Sequence, residues 1–170
     1  AASDVYKREV EVRKNLFVRP LSSAANGMNK LSFGLNGSYI YTNAKMPLAT
    51  VTTGSQLEGA APWIANFDLS HNFTKGTHSF INTLVFNYVS DKIYTIGTQG
   101  YQDIIEQGMM TLDFVSQAKL NKYVSLTLKA RNLLNPSYKL SRKANESGEK
   151  VVLSDYKKGI NISLGVSCTF

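Results

Sequence analysis

The sequence predicts an all-β chain whose antiparallel strands form part of a transmembrane β-barrel. Apolar and polar residues alternate with a period near two along most of the chain, as in strands with one dry and one wet face. Most of the alternating stretches run for roughly 11–14 residues, against a usual length of about 5–6 in soluble sheets. The connections between them alternate short and long, as in barrels whose two rims face different compartments. The reading gives about seven strands and no convincing helix.

The first strand covers residues 5–17, where Val10 and Val12 oppose Lys7, Glu9, Glu11 and Arg13. In the second, Leu31, Phe33, Leu35, Tyr39 and Tyr41 alternate with Ser32, Gly34, Asn36, Ser38 and Thr42. The third, residues 63–73, sets Trp63, Ala65, Phe67, Leu69 and Phe73 against Asn66, Asp68, Ser70 and Asn72. The fourth, residues 79–92, has Phe80, Leu84, Phe86 and Tyr88 on one face, and its other face is half apolar. In the fifth, Met110, Leu112, Phe114, Ala118 and Leu120 oppose Thr111, Asp113, Gln117 and Lys119. In the sixth, Val124, Leu126, Leu128 and Ala130 oppose Ser125, Thr127, Lys129 and Arg131. The last, residues 160–170, sets Ile160, Ile162, Leu164, Val166, Cys168 and Phe170 against Asn161, Ser163, Gly165, Ser167 and Thr169.

Residues 44–61, 93–107 and 134–158 read as long connections, whereas 74–78 and Asn121-Lys122 are short. Residues 18–29 are intermediate and break the pattern. With the carboxy-terminus in the periplasm, every long loop falls outside the cell. Aromatic residues gather near strand ends (Tyr39, Tyr41, Trp63, Phe73, Phe80, Tyr88, Tyr123), as interfacial girdles do.

The 170 residues, taken as a single unit 1–170, are 43% apolar and 18% charged, with a net charge of +7. No run reaches the roughly 20 apolar residues of a helical span, but a strand needs only every second residue apolar. Nucleic acid is not an expected partner, because no zinc-ligand spacing or aromatic-basic motif is present. Catalysis is not expected either: no phosphate-binding loop, dinucleotide fingerprint or nucleophile elbow occurs, and no cofactor is called for. His71 and His78 lack further ligands for a metal. The single Cys168 reads as a small hydrophobe. No secretory leader is visible, so either it was removed or the chain is the later part of something longer.

Asp68, Asp113, Lys129 and Arg131 fall on the predicted lumen face. There they contact a solute or join a hydrogen-bond and ion-pair network. Residues 134–158 hold three more cations than anions, which suits lipopolysaccharide, an anionic ligand or plain solvation.

Residues 163–170 read polar, any, Gly, any, any, apolar, any, aromatic. They resemble the closing strand of bacterial outer-membrane barrels, with Gly165, Cys168 and Phe170 in the positions of the signal read by the barrel-assembly machinery. Cys168 stands where that pattern usually has an aromatic residue. Four more blocks carry a narrower resemblance: Glu11-Val12-Arg13-Lys14-Asn15-Leu16, Leu57-Glu58-Gly59-Ala60-Ala61-Pro62-Trp63-Ile64-Ala65-Asn66, Leu112-Asp113-Phe114 after Asp103-Ile104-Ile105-Glu106-Gln107, and Lys129-Ala130-Arg131-Asn132-Leu133-Leu134-Asn135-Pro136 completed by Tyr138. In this order they are similar to the carboxy-terminal part of the barrel of TonB-dependent outer-membrane receptors of the Bacteroidota type. The resemblance implies a barrel of about 22 strands, of which this chain would supply the last seven or so. It also implies a separate plug domain, coupling to TonB, energised uptake of a solute and, in some members, a surface lipoprotein as lid. A small stand-alone eight-stranded barrel and a soluble β-sandwich or lipocalin-like binder are the competing readings.

Overall fold

The computed structural model describes residues 3–21, 27–44, 56–98, 100–144 and 148–169. Strand β1 spans Ser3–Leu21, β2 Gly27–Ala44, β3 Trp63–Lys75, β4 His78–Val89, β5 Lys92–Thr95 and β6 Ile104–Glu106. Strand β7 spans Met109–Lys119, β8 Val124–Arg131, β9 Ser137–Lys143, β10 Lys150–Lys157 and β11 Asn161–Cys168. There is no helix among the described residues. Every pairing is antiparallel. Seven strands form one sheet in the order β1-β2-β3-β4-β7-β8-β11, and four form a second in the order β10-β9-β6-β5.

The seven strands of the first sheet are those the alternation predicts. β1 and β2 run further than expected, to Leu21 and from Gly27, so the intermediate connection shrinks to residues 22–26, outside the described residues. Pro20 lies in the added part of β1. A proline is tolerated on an edge strand, and β1 pairs with β2 alone. The register of β1 also slips between Asn15 and Phe17. This bulge takes up one extra residue and returns Phe17 to the side of Val10 and Val12, which the strict alternation hides.

The second sheet corrects the expectation that residues 93–107 and 134–158 are loops. Lys92 pairs with Glu106 and Ile93 with Ile105, continuing the Val89–Met109 register without slip. β6 then pairs with β9, and β9 with β10. The order β5-β6-β9-β10 thus repeats β4-β7-β8-β11: the second sheet prolongs the last four strands of the first beyond a line of irregular backbone. At that line the amide of Gly108 donates to Asp91 Oδ1 at 2.6 Å.

Among the described residues no second layer of strands packs on either face; only the segment before β3 lies against the sheets, where the Leu57 amide donates to Thr42 Oγ1 at 3.0 Å. Substantial contacts between strands occur only between hydrogen-bonded neighbours. Ala61 and Ile93 are the only buried apolar residues among those described. A globular monomer of this mass would expose about 8,300 Å²; this chain exposes 11655 Å². A β-sandwich packs two sheets face to face, and these strands do not. The sheet is also open among the described residues, with β1 and β11 as its edges.

Candidate functional site

Cross-strand register assigns each side chain to one of two faces, because directly paired residues share a face. One face is apolar. Its rows include Val12–Leu35–Phe67–Phe86–Leu112 and Phe33–Leu69–Leu84–Phe114–Ala130–Ile162. Tyr39 packs on Trp63 at 4.5 Å near one end, and Phe73 on Phe80 at 6.4 Å near the other. Trp63, Phe67, Leu128 and Ile162 are among its exposed members. Arg8 and Lys14 interrupt it on edge strand β1, opposite Tyr39 and Phe33. A short polar row also crosses it, where His71 Nε2 meets Asn29 Oδ1 at 2.8 Å and Ser116 Oγ donates to Asn82 Oδ1 at 2.7 Å.

The other face is more polar, although Ile81, Val85 and Val89 of β4 also lie on it, and all four candidate lumen residues belong to it. Asp68 pairs with Gly34 on β2. Lys129 pairs with Val115 on β7 and Ser163 on β11. Asp113 precedes Val115 by two residues and Arg131 follows Lys129 by two, which keeps both on this face. The four do not form a network with one another. β4 and β7 lie between Asp68 and β8, and Lys129 and Arg131 enter no ion pair among the described residues. Asp113 instead accepts from the backbone amide of Asn132 at 2.8 Å.

The charged groups that do meet are on β1 to β3. Lys7 Nζ lies 2.8 Å from Glu9, and the Asn36 amide donates to the other Glu9 oxygen at 2.7 Å. Asn66 continues the chain to Asn36 at 3.5 Å. Arg13 Nε donates to Glu11 at 2.5 Å. Glu9, Glu11, Arg13, Asn36, Asn66 and Asp68 line an open groove of about 350 Å³. A Cβ at Gly34 would collide with the Asp68 carboxylate, so glycine leaves room for that acid over the backbone. Further along the face, Ser70 and Thr83 hydroxyls meet at 3.1 Å and Asn87 donates to Thr111 at 3.2 Å.

Two asparagines control the junction between the sheets. Asn132 and Asn135 have φ of 59° and 44°, a left-handed conformation that asparagine tolerates better than most side chains. The Asn135 amide closes a turn onto the Asn132 carbonyl at 2.9 Å. The Asn132 side chain donates to the Gly159 carbonyl at 2.7 Å, and Gly159 N–H returns to Asn135 Oδ1 at 3.1 Å. Gly159, at φ 83°, supplies the matching bend between β10 and β11. Sequence reasoning picked out this asparagine pair only as part of a motif.

The second sheet carries its own cluster. Lys92 Nζ lies 3.2 Å from Glu106 Oε1, and the Tyr138 hydroxyl donates to Glu106 Oε2 at 3.2 Å. Tyr156 packs on the Tyr138 ring at 5.0 Å and Lys158 lies 5.2 Å from its centre. Burial of the Tyr138 hydroxyl, with the negative charge of Glu106 beside it, pushes its pKa up to about 12. Lys139 pairs with Asp155 at 3.2 Å. Part of the charge of residues 134–158 is therefore held within a hairpin rather than spread over a loop.

At the closing strand, Gly165 pairs with Thr127 and Cys168 with Val124. A Cβ at Gly165 would meet Thr127 only at ordinary contact distance, 3.8 Å, so the sheet itself places no steric demand for glycine there. Cys168 is free and exposed, and Phe170 lies outside the described residues. His78 stands at the β3–β4 turn opposite Lys75. No family model, curated protein or solved structure matches this chain.

Proposed function

We propose that the chain forms about seven carboxy-terminal strands in the wall of a larger transmembrane β-barrel of the bacterial outer membrane. The apolar face meets lipid and the polar face lines the lumen. The spacing of the aromatic rows carries this reading. Trp63 and Phe73 stand ten residues apart on one face of β3. That is about 33 Å of strand, or about 25 Å of height at a tilt of roughly 40°, the height of the apolar band of a barrel. In water, so large an uncovered apolar face would drive association.

The two edges support a larger closed wall. Ile162 and Leu164 on β11 are 69% and 71% exposed, and β1 presents a second open edge. In lipid each unpaired backbone group costs several kcal/mol, so both edges require further strands. Arg8 and Lys14, on edge strand β1, have stems long enough to carry their charges toward such a neighbour or an interface.

Within that wall we assign the chain to a TonB-dependent transporter, on the strength of the ordered sequence blocks. The parent protein then takes up a solute, driven through TonB, with a plug filling the barrel. Asp68, Asp113, Lys129 and Arg131 face that plug or the solute. The outer extension meets lipopolysaccharide and, in some assemblies, a lipoprotein lid. Gly165, Cys168 and Phe170 form the signal for the assembly machinery, and this segment does no covalent chemistry. Fractionation tests the membrane part: the full-length protein stays with the outer membrane through alkaline extraction, and release without detergent contradicts it. Solute uptake that persists without TonB contradicts the transporter part.

A further inference from the structure

We infer that the rim carrying the short turns binds the headgroups of anionic phospholipids, a reading that rests on the membrane placement above. The short connections lie at one end of the first sheet: after β1, between β3 and β4, and between β7 and β8. Arg19, Lys75 and Lys122 stand there with His78, Lys30 and Lys119 lie beside them on the polar face, and the sequence of these strand ends and turns holds no carboxylate. None of the six enters an ion pair among the described residues. The nearest acids along β3 and β7 are Asp68 and Asp113, seven and six residues from Lys75 and Lys119. That is about 20 Å or more of strand, beyond two screening lengths at physiological salt. Among the described residues the rim therefore keeps a positive field that no side-chain carboxylate faces.

Its placement fits a headgroup. By register, Arg19 shares the level of Asn29, Phe73 and Phe80 on the apolar face, and Lys75 and His78 stand one row beyond. Tyrosine and phenylalanine rows mark the edge of the hydrocarbon in a barrel, so these cations lie where phosphates lie. One row inward, His71 and Asn82 form part of the polar belt. The other end of the chain mixes both signs, with Lys92 on Glu106 and Lys139 on Asp155, and gives no comparable field.

The test uses full-length protein in neutral detergent, offered equal amounts of phosphatidylglycerol and phosphatidylcholine with the same acyl chains. Bound lipids are counted by native mass spectrometry. The wild type retains phosphatidylglycerol preferentially, and removing Arg19, Lys75 or Lys122 lowers the preference about fivefold each. The triple variant R19Q/K75Q/K122Q loses it, whereas R142Q/K143Q/K150Q, with the same change in charge on the second sheet, keeps it. Equal retention of both lipids by the wild type, or an unchanged preference in the rim variant, overturns the lipid site and leaves an acidic soluble protein as the rim's partner. A protein that inserts into pure phosphatidylcholine vesicles without any preference overturns the lipid site alone. A protein soluble without detergent overturns the membrane reading and the lipid site together.

Discussion

The side-chain amide of Asn132 donates to the carbonyl oxygen of Gly159 at 2.7 Å, tying the bend between β8 and β9 to the bend between β10 and β11. Both strands leave the first sheet at this point and re-pair above it. The β9–β10 part of the extension is thus held at its root by Asn132, with Asn135 beside it, both in a left-handed conformation. Asn132→Ala removes the hydrogen bond and places a less tolerant residue at φ 59°, so the loss should be about 1–3 kcal/mol. Asn132→Gly keeps the backbone conformation accessible and should lose less. Amide exchange reads the difference: β9 and β10 lose protection in the alanine variant while β3 and β4 keep theirs.

Gly34 and Asp68 are coupled by space. A Cβ on residue 34 meets the Asp68 carboxylate, a movable group, so Gly34→Ala should destabilise by about 1 kcal/mol. In an Asp68→Ala background the same change should be nearly neutral. A double-mutant cycle of unfolding in lipid measures the coupling. Additive effects would mean that the carboxylate does not occupy that space.

Alkaline pH should loosen the second sheet. The Tyr138 hydroxyl titrates near 12 in the folded protein against 10.0 ordinarily. Because the folded value is the higher one, its stabilising contribution is complete below pH 10 and declines as pH rises toward 12. Ultraviolet titration of tyrosinate, with Tyr138→Phe as reference, should show one late-ionising group. A normal titration for that residue would count against its burial beside Glu106.

Lys14 faces the apolar side opposite Phe33, on the row of Leu69 and Leu84. A lysine near the middle of a lipid-facing barrel surface costs about 2–4 kcal/mol, lessened here if its stem reaches past the edge. Lys14→Leu should therefore stabilise the protein in bilayers by about 1–3 kcal/mol. Denaturant unfolding in vesicles checks this, and a destabilised variant would place Lys14 in a polar contact instead.

Much of this was legible from periodicity alone. Alternation locates the seven strands of the first sheet, and it puts Asp68, Asp113, Lys129 and Arg131 on one face because a strand's parity survives any even register. Register itself is not written in the alternation. That is why the Glu9–Asn36–Asn66 chain escaped, and why the alternation could not say that Asp113 binds a backbone amide while Lys129 and Arg131 have no ion partner among the described residues. The second sheet was missed for a different reason. β5 and β6 are four and three residues long, too short for a period to register, and β9 and β10 carry the Lys and Ser content of a loop. Their strand character comes from extending hairpins already formed, a tertiary effect that local pattern does not record.

The most direct test of the central claim is a scan of β3 with a fluorophore attached to single cysteines at positions 65 to 70, in a Cys168→Ser background, in vesicles containing brominated lipid. Bromine quenches only groups in contact with acyl chains. A lipid-facing apolar surface predicts strong quenching at Ala65, Phe67 and Leu69 and weak quenching at Asn66, Asp68 and Ser70. Uniformly weak quenching, or quenching without a period of two, would contradict it.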